Sequence, residues 1–218
     1  MALRVVFAED DYLVREGTSA LLRESEDIEL VAAVEDLPAL LAAVEEHRPN
    51  AVLTDIRMPP TNTTEGIDAA HRIRDGHPET GVVVLSQYAD EEYAYELLKE
   101  GAAGLGYLLK ERVADITELV RAMAEVAKGG SVLDPKVVEA LVARKDRLAH
   151  SPLAQLTERE REILGHLAKG LRNDDIASKL FISPQTVQTH VRNILSKLRV
   201  HSRLEAVAFA VRHGWLAV

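Results

Sequence analysis

Through the first 130 residues, short apolar runs alternate with segments of helical period. Leu3 to Ala8, Ile28 to Val34, Ala51 to Asp55, Val82 to Ser86 and Leu105 to Leu109 read as strands. Between and after them, about Leu13 to Ser25, Leu37 to His47, Gly66 to His77, Glu91 to Glu100 and Val113 to Lys128 read as helices. Five such strand–helix pairs predict an α/β domain: a five-stranded parallel, doubly wound (βα)5 sheet, because each crossover between parallel strands is right-handed and long enough to need a helix. Gly129 and Gly130 end the last of these helices, and residues 131–152 read as a linker holding one short possible helix, Pro135 to Ala143. Residues 153–218 carry no strand pattern and predict an all-α, four-helix domain, with helices at about Glu158 to Lys169, Asp174 to Leu180, Pro184 to Leu198 and Arg203 to His213. The start signals are sharp. Thr157 with Glu160 and Ser202 with Glu205 have capping-box spacing, Asn173 can cap the second helix, and Ser183 before Pro184 supplies an N-cap and a proline at the first helical position.

Composition narrows the chemistry. The 218 residues include no Cys, which removes thiolate metal sites, thiol nucleophiles and disulfides together. No apolar run approaches the roughly 20 residues of a membrane span, and Met1 to Ala8 lack the layout of a secretory signal, so a soluble, cytoplasmic protein without membrane association is expected. The net charge of −9 is unevenly spread: residues 1–130 hold 12 basic and 26 acidic side chains, residues 131–218 hold 14 and 9. From Ile176 onward there are six Lys or Arg against one acid, an excess able to neutralise phosphates, with ordinary surface scatter as the alternative on charge alone. Eight dispersed His form no ligand motif and read as surface and packing residues. Gly101, Gly104 and Gly106 read as turn residues, and Trp215 as core.

In an open parallel sheet, ligands bind beyond the carboxyl ends of the strands. Here those ends carry Glu9 and Asp10, Asp55, Ser86 and Lys110. Crowded carboxylates repel one another, so the arrangement calls for a hard cation; Mg²⁺ suits it, taking oxygen ligands from one or two carboxylates and a phosphate while keeping several waters. A lysine on the opposite wall can balance a phosphoryl charge, and a hydroxyl can donate to it. Taken singly, such residues are ordinary turn, cap or surface residues. Their joint placement at four strand ends is what carries the signal.

The strings "VVFAEDDYLVREG", "PNAVLTDIRMP", "VVVLSQY" and "GYLLK" give residues 1–130 a resemblance to bacterial two-component receiver domains. The resemblance implies that Asp55 is the phosphoacceptor, attacking a phosphohistidine on a sensor histidine kinase. It also implies that Asp10, Asp55 and the Arg57 backbone carbonyl bind Mg²⁺, with Glu9 acting partly through water, and that Lys110 pairs with the phosphoryl oxygens. Ser86 and Tyr107 are implied as the switch: Ser86 moves to the phosphate and the Tyr107 ring turns inward into the space left behind. Three features depart from the pattern. The segment "PPTNTTE" after Met58 is longer than the usual turn; Gln87 stands where a small residue is usual and narrows phosphoryl access; Arg57 and Tyr88 are bulky at the two places that modulate water attack, and are expected to slow self-dephosphorylation.

In Pro184 to Leu198, Val187, Val191, Ile194 and Leu198 fall on one stripe, and the opposite face shows Gln185, Gln188, Thr189, Arg192 and Ser196, with Asn193 and Lys197 flanking and Thr186 also counted as a DNA-binding candidate. A solvated face on a small bundle has the same pattern, but the turn Phe181–Ile182–Ser183 and the excess of bases favour a helix lying in the major groove of double-stranded DNA. The string "LTEREREILGHLAKGLRNDDIASKLFISPQTVQTHVRNILSKLRV" is similar to the LuxR-type helix-turn-helix. Together the two halves resemble response regulators of the NarL/FixJ family across nearly the whole chain, which implies phosphorylation-controlled transcription. It also implies a homodimer when phosphorylated or on DNA, with Arg203, Val207 and Val211 of the last helix in the dimer contact. Gln188 stands where Lys is frequent, and Arg199 where a helix-ending Gly is common. Two other readings remain at this point: a regulator of the same fold controlled by protein partners rather than phosphorylation, and a Mg²⁺-dependent phosphatase of the haloacid dehalogenase type. The latter needs an acid two residues after its nucleophile, where this chain has Arg57. No other enzymatic activity is expected.

Overall fold

The computed structural model describes residues 2–150, 152–212 and 215, without the side chains of 113, 114 and 148–150. They form two compact units, 1–142 and 143–218.

In the first unit, strands β1 (Leu3–Ala8), β2 (Ile28–Val34), β3 (Ala51–Asp55), β4 (Gly81–Ser86) and β5 (Leu105–Leu109) alternate with helices α1 (Tyr12–Glu24), α2 (Leu37–His47), α3 (Glu65–Gly76), α4 (Glu91–Leu98) and α5 (Ile116–Ala127). The sheet is wholly parallel in the order β2-β1-β3-β4-β5-β6. Because strand side chains alternate between faces, two cores form. Val6, Ala8, Val52, Val82, Val84 and Tyr107 pack under α2, α3 and α4, while Val5, Phe7, Leu53, Val83, Leu85 and Leu108 pack under α1 and α5. Apolar residues on both faces explain why these strands read as unbroken hydrophobic runs rather than as alternating ones.

The sixth strand corrects the expected strand count and the reading of 131–152 as a linker. Val132–Leu133 (β6) pairs in parallel with Gly106 and Tyr107, and α6 then runs Pro135–His150, longer than the short helix expected. Val137 is buried in the core beneath α2–α4 and Leu141 packs against it. Asp134 joins strand to helix: its N–H donates to the Tyr107 carbonyl, and its carboxylate accepts from the Lys136 N–H and from Arg112 Nε at 3.0 Å. The two residues of β6 are too short a run for periodicity to reveal a strand.

In the second unit, α7 (Glu158–Ala168), α8 (Asn173–Leu180), α9 (Pro184–Leu198) and α10 (Arg203–Arg212) enclose Ile163, Leu164, Ile176, Val187, Val191, Ile194, Leu198, Ala206 and Ala210. The Thr157–Glu160 capping box forms as expected. Around Ser202 the Glu205 carboxylate accepts instead from the His201 N–H and the Ser202 hydroxyl. Asn173 is not the cap of α8: Arg172 takes that position, its N–H donating to Asp175, and the Asn173 side chain accepts from Arg203. Trp215 packs partly buried against this core, and His213, the expected end of α10, lies outside the described residues. None of the described helices is long and apolar enough to cross a membrane.

Arg199 closes α9 in the left-handed region at φ 56°, where a Cβ is unfavourable. Arg199→Gly is therefore expected to stabilise the second unit by about 1 kcal/mol, read as a higher urea midpoint.

Candidate functional site

The acidic pocket sits at the carboxyl edge of the sheet, where β1 and β3 part and α1 begins. Asp11 caps α1, accepting from the Leu13 and Val14 N–H groups, so the chain turns sharply after Glu9 and Asp10. Arg15, one turn into that helix, donates from one guanidinium nitrogen to the Glu9 carbonyl at 2.7 Å and to the Asp10 carbonyl at 3.2 Å, which holds the turn. Glu9, Asp10 and Asp55 can each direct a carboxylate oxygen to positions within 4.8 Å of one another; Glu9 and Asp55 are buried and Asp10 is exposed. Among the described residues, the ammonium that meets them comes from just after β5: Lys110 Nζ lies 2.8 and 3.0 Å from the two Glu9 oxygens and 3.1 Å from Asp55 Oδ1.

Burial raises the Asp55 carboxyl above the usual aspartate value, opposed by Lys110 and reinforced by Asp10. Glu9 is raised for the same reason, burial first, with Lys110 pulling against it and the Asp55 charge adding to the rise. Burial pulls the Lys110 ammonium down, but its hydrogen bond to Glu9 and the charges of Asp55 and Glu9 outweigh that and raise it. Lys110 pairs directly with two of these three carboxylates, while Arg15 is spent on backbone carbonyls and Arg57 on Tyr93, which leaves the acids short of positive charge. Hard oxygen donors at this spacing, one of them open to solvent, fit a divalent cation that retains water.

Ser86 and Tyr107, the residues expected to form a switch, lie together on the neighbouring wall. Ser86 Oγ donates to the Tyr88 carbonyl at 2.8 Å, and the Tyr107 hydroxyl donates to the same carbonyl at 3.2 Å. Tyr107 is already fully buried, so the expected outward ring that later turns in is not the state of this structure. The guanidinium of Arg57 donates to the Tyr93 hydroxyl at 2.9 Å and lies 5.5 Å from that ring's centre, tying the residue after Ile56 to α4. Tyr88 is exposed and lines a cavity with Asp55, Arg57, Ser86 and Tyr93.

Three contributors to the site had no signal in the sequence: Arg15, Tyr93 and Glu65. Glu65, the first residue of α3, is buried and closes the long segment after Met58. Its carboxylate accepts from the Thr61 N–H at 2.9 Å, the Thr63 N–H at 2.8 Å and the Thr61 hydroxyl. Gly66 then packs so closely under Asp55 that a Cβ would stand 1.9 Å from the Asp55 carbonyl oxygen, which fixes where α3 begins. An acid at the start of a helix is an ordinary helix-terminus residue, so nothing in the string marked Glu65 as the anchor of a loop.

In the second unit, Gln185, Thr186, Gln188, Thr189, Arg192 and Asn193 are all exposed on α9, opposite its buried stripe. Ser183 caps the helix, accepting from the Thr186 N–H. Lys197 does not join the exposed set as a free cation: its Nζ lies 2.6 Å from Glu160 Oε2, and Glu160 is buried. Burial raises the Glu160 carboxyl, but Lys197 and Thr157 outweigh it and hold it below the usual glutamate value. Of the three α10 residues expected at a dimer contact, Val207 packs partly against its own core and Arg203 is engaged with Asn173; Val211 is half-buried.

Two family models match the chain: the response regulator receiver domain over residues 5–123, and the luxR family of bacterial regulatory proteins over residues 154–210. The transcriptional regulatory protein DegU of Brevibacillus brevis is 36% identical over 233 residues, with 99% of this chain and 96% of that protein covered. The oxygen regulatory protein NreC of Staphylococcus epidermidis is 37% identical over 218 residues, with 96% and 97% covered. Among solved structures, the response regulator ChrA of a heme-sensing two-component system aligns over 99% of both chains at 32% identity and a TM-score of 0.55. The response regulator RcsB in an RcsB–DNA complex aligns over 97% of this chain and 98% of its own, with a TM-score of 0.58 at 23% identity, which shows the shared fold alone.

Burial raises the Glu65 carboxyl, but its hydrogen bonds from Thr61 and Thr63 outweigh that and hold it well below the usual glutamate value, at about 2. A lowered folded pKa gives stability that is complete above the unfolded value of 4.5 and is lost as pH falls toward 2. Glu65→Gln is therefore expected to be less stable than wild type at pH 7, with the difference in urea midpoints shrinking as pH drops through that window.

Proposed function

The chain belongs to the NarL/FixJ family of two-component response regulators, DNA-binding proteins that join a receiver domain to a LuxR-type helix-turn-helix; on that premise we propose that Asp55 is its phosphoacceptor and that phosphorylation governs how the C-terminal domain engages DNA. The observation that carries this reading is Lys110 bridging Glu9 and Asp55 at the edge of the sheet, beside Asp10. The domain limits we propose are 1–130 for the receiver core, extended to 142 by β6 and the first half of α6, and 153–218 for DNA binding.

In the proposed reaction an Asp55 carboxylate oxygen attacks the phosphorus of a phosphohistidine on a sensor kinase, the P–N bond breaks, and an aspartyl phosphate forms. Glu9, Asp10, Asp55 and the Arg57 carbonyl would hold Mg²⁺, which, when bound, shields the negative charge gathered on the phosphoryl oxygens. Lys110, already against Asp55, is placed to pair with a phosphoryl oxygen without a large movement. Ser86 would leave the Tyr88 carbonyl to donate to the phosphoryl group. The Tyr107 hydroxyl shares that carbonyl, so its partner changes at the same moment, and the surface formed by α4, β5 and α5 changes with it.

The output is sequence-specific DNA binding by α9. Gln185, Gln188 and Arg192 are placed to read base edges, Thr189 to meet a thymine methyl, and Thr186 and Asn193 to hold the backbone. Lys197 is assigned to orienting α9 through Glu160 rather than to a phosphate. A homodimer through α10, with Val211 and Arg203 at its surface, would match two half-sites. The protein works in the cytoplasm, where a kinase and DNA are both present. Its full-length relatives DegU and NreC are named as regulatory proteins rather than enzymes, so self-phosphorylation and its reversal are the only chemistry assigned to it.

With a small-molecule phosphodonor and Mg²⁺, wild type is expected to take up one acid-stable, base-labile phosphoryl group and Asp55→Asn none; label persisting in the variant would move the acceptor elsewhere. On a bound operator fragment, Arg192→Ala is expected to cost about 1–3 kcal/mol and to flatten the dependence of log K on log salt by about one ion. Lys197→Ala is expected to lower the unfolding midpoint while keeping the wild-type salt slope, since its charge is spent on Glu160.

A further inference from the structure

Two departures from the receiver pattern, the long segment after Met58 and the Gln after Ser86, meet at one cleft. Asn62 and Gln87 line it with Asp10, Asp55, Arg57 and Lys110. Most polar groups there are already committed: Lys110 to Glu9 and Asp55, Asp11 to the cap of α1, Arg57 to Tyr93. Among the described residues, the carboxamides of Asn62 and Gln87 have no partner within the protein. Asn62 is nonetheless held in place. Its N–H donates to the Met58 carbonyl at 3.0 Å, its φ of 57° lies in the left-handed region that Asn tolerates, and the residues on either side are bound to Glu65.

We propose that Asn62 and Gln87 position the water molecule that hydrolyses the Asp55 acyl phosphate, an assignment that rests on the reading of Asp55 above. The water oxygen attacks phosphorus on the side opposite the Asp55 oxygen. The bond between phosphorus and the Asp55 oxygen breaks, its electron pair returns to the carboxylate, and both water protons leave with phosphate as dihydrogenphosphate. Among the groups lining the cleft, only a carboxamide can accept from the water and donate to a phosphoryl oxygen without adding negative charge to a cleft already lined by Glu9, Asp10, Asp11 and Asp55. Arg57 offers donors only, and a further carboxylate would be repelled. Fixing the water's orientation contributes by removing its rotational freedom before the reaction. Arg57 lines the same cleft and Tyr88 lines the neighbouring cavity with Gln87, so the lifetime of the phosphoryl group is set by amides that guide water and bulk beside them that excludes it.

The test follows loss of label from the full-length protein after removal of phosphodonor, in wild type, Asn62→Gly, Asn62→Asp, Gln87→Ala and the Asn62→Gly/Gln87→Ala pair. Gly keeps the left-handed backbone without the carboxamide, and Asp keeps its shape without the donors. Each single variant is expected to lengthen the half-life by about tenfold or more, while in the uncharged variants Asn62→Gly and Gln87→Ala the Mg²⁺ dissociation constant of the unphosphorylated protein, measured by titration calorimetry, stays at the wild-type value. An unchanged or shorter half-life in any of the single variants overturns the proposal, as does a parallel loss of Mg²⁺ affinity, which would make the amides part of the metal's surroundings. Wild type that takes up no label overturns the reading of Asp55 and this assignment with it; label with an unaltered half-life overturns this assignment alone.

Discussion

The receiver domain is organised around an unbalanced charge. Three carboxylates share one ammonium at the edge of a sheet whose interior is apolar on both faces, and burial makes two of those carboxylates, Glu9 and Asp55, harder to ionise than usual. Lys110 relieves part of that strain by bridging both, and in doing so ties the end of β5 to the ends of β1 and β3. A site built this way is sensitive to any change in local charge. Adding a cation or a doubly charged phosphoryl group alters what Lys110 must balance, and the groups beside it are placed to respond.

That response has a short structural route. Ser86 and Tyr107 share one acceptor, the Tyr88 carbonyl, so a displacement of that carbonyl reaches both hydroxyls. The backbone of Tyr107 in turn accepts from Asp134, whose carboxylate holds Arg112, two residues after Lys110, and the first turn of α6. The acidic pocket and the helix that follows the sheet are thus linked through hydrogen bonds of Tyr107 in β5. The structural consequence of the sixth strand is that this segment is anchored to the receiver rather than loose.

In the C-terminal domain, electrostatics does a different job. Glu160 is buried at the start of α7 and ties the last turn of α9 to it through Lys197, beside the apolar stripe of α9 that packs on the same core. The helix can then present Gln185, Gln188, Thr189 and Arg192 outward without any of them having to hold the domain together. The net +5 charge of residues 131–218 overstates the charge available to phosphate, because some of it is used internally.

Much of this was legible in the string. The strand–helix alternation, the acids and the lysine at strand ends, the Thr157–Glu160 box and the apolar stripe Val187, Val191, Ile194 and Leu198 are local patterns, and local patterns follow from backbone periodicity and end-group chemistry. The strand Val132–Leu133 was not legible, since two residues have no period. Neither was the engagement of Lys197 with Glu160, 37 residues away, nor the closing of the Thr61–Thr63 segment on Glu65, nor Arg57 on Tyr93. Sequence alone determined which residues lie on which element and at which end of it. Which charge meets which, and which polar groups are left free to act, only the packed chain decided, because those pairings depend on distances between segments that no spacing along the chain encodes.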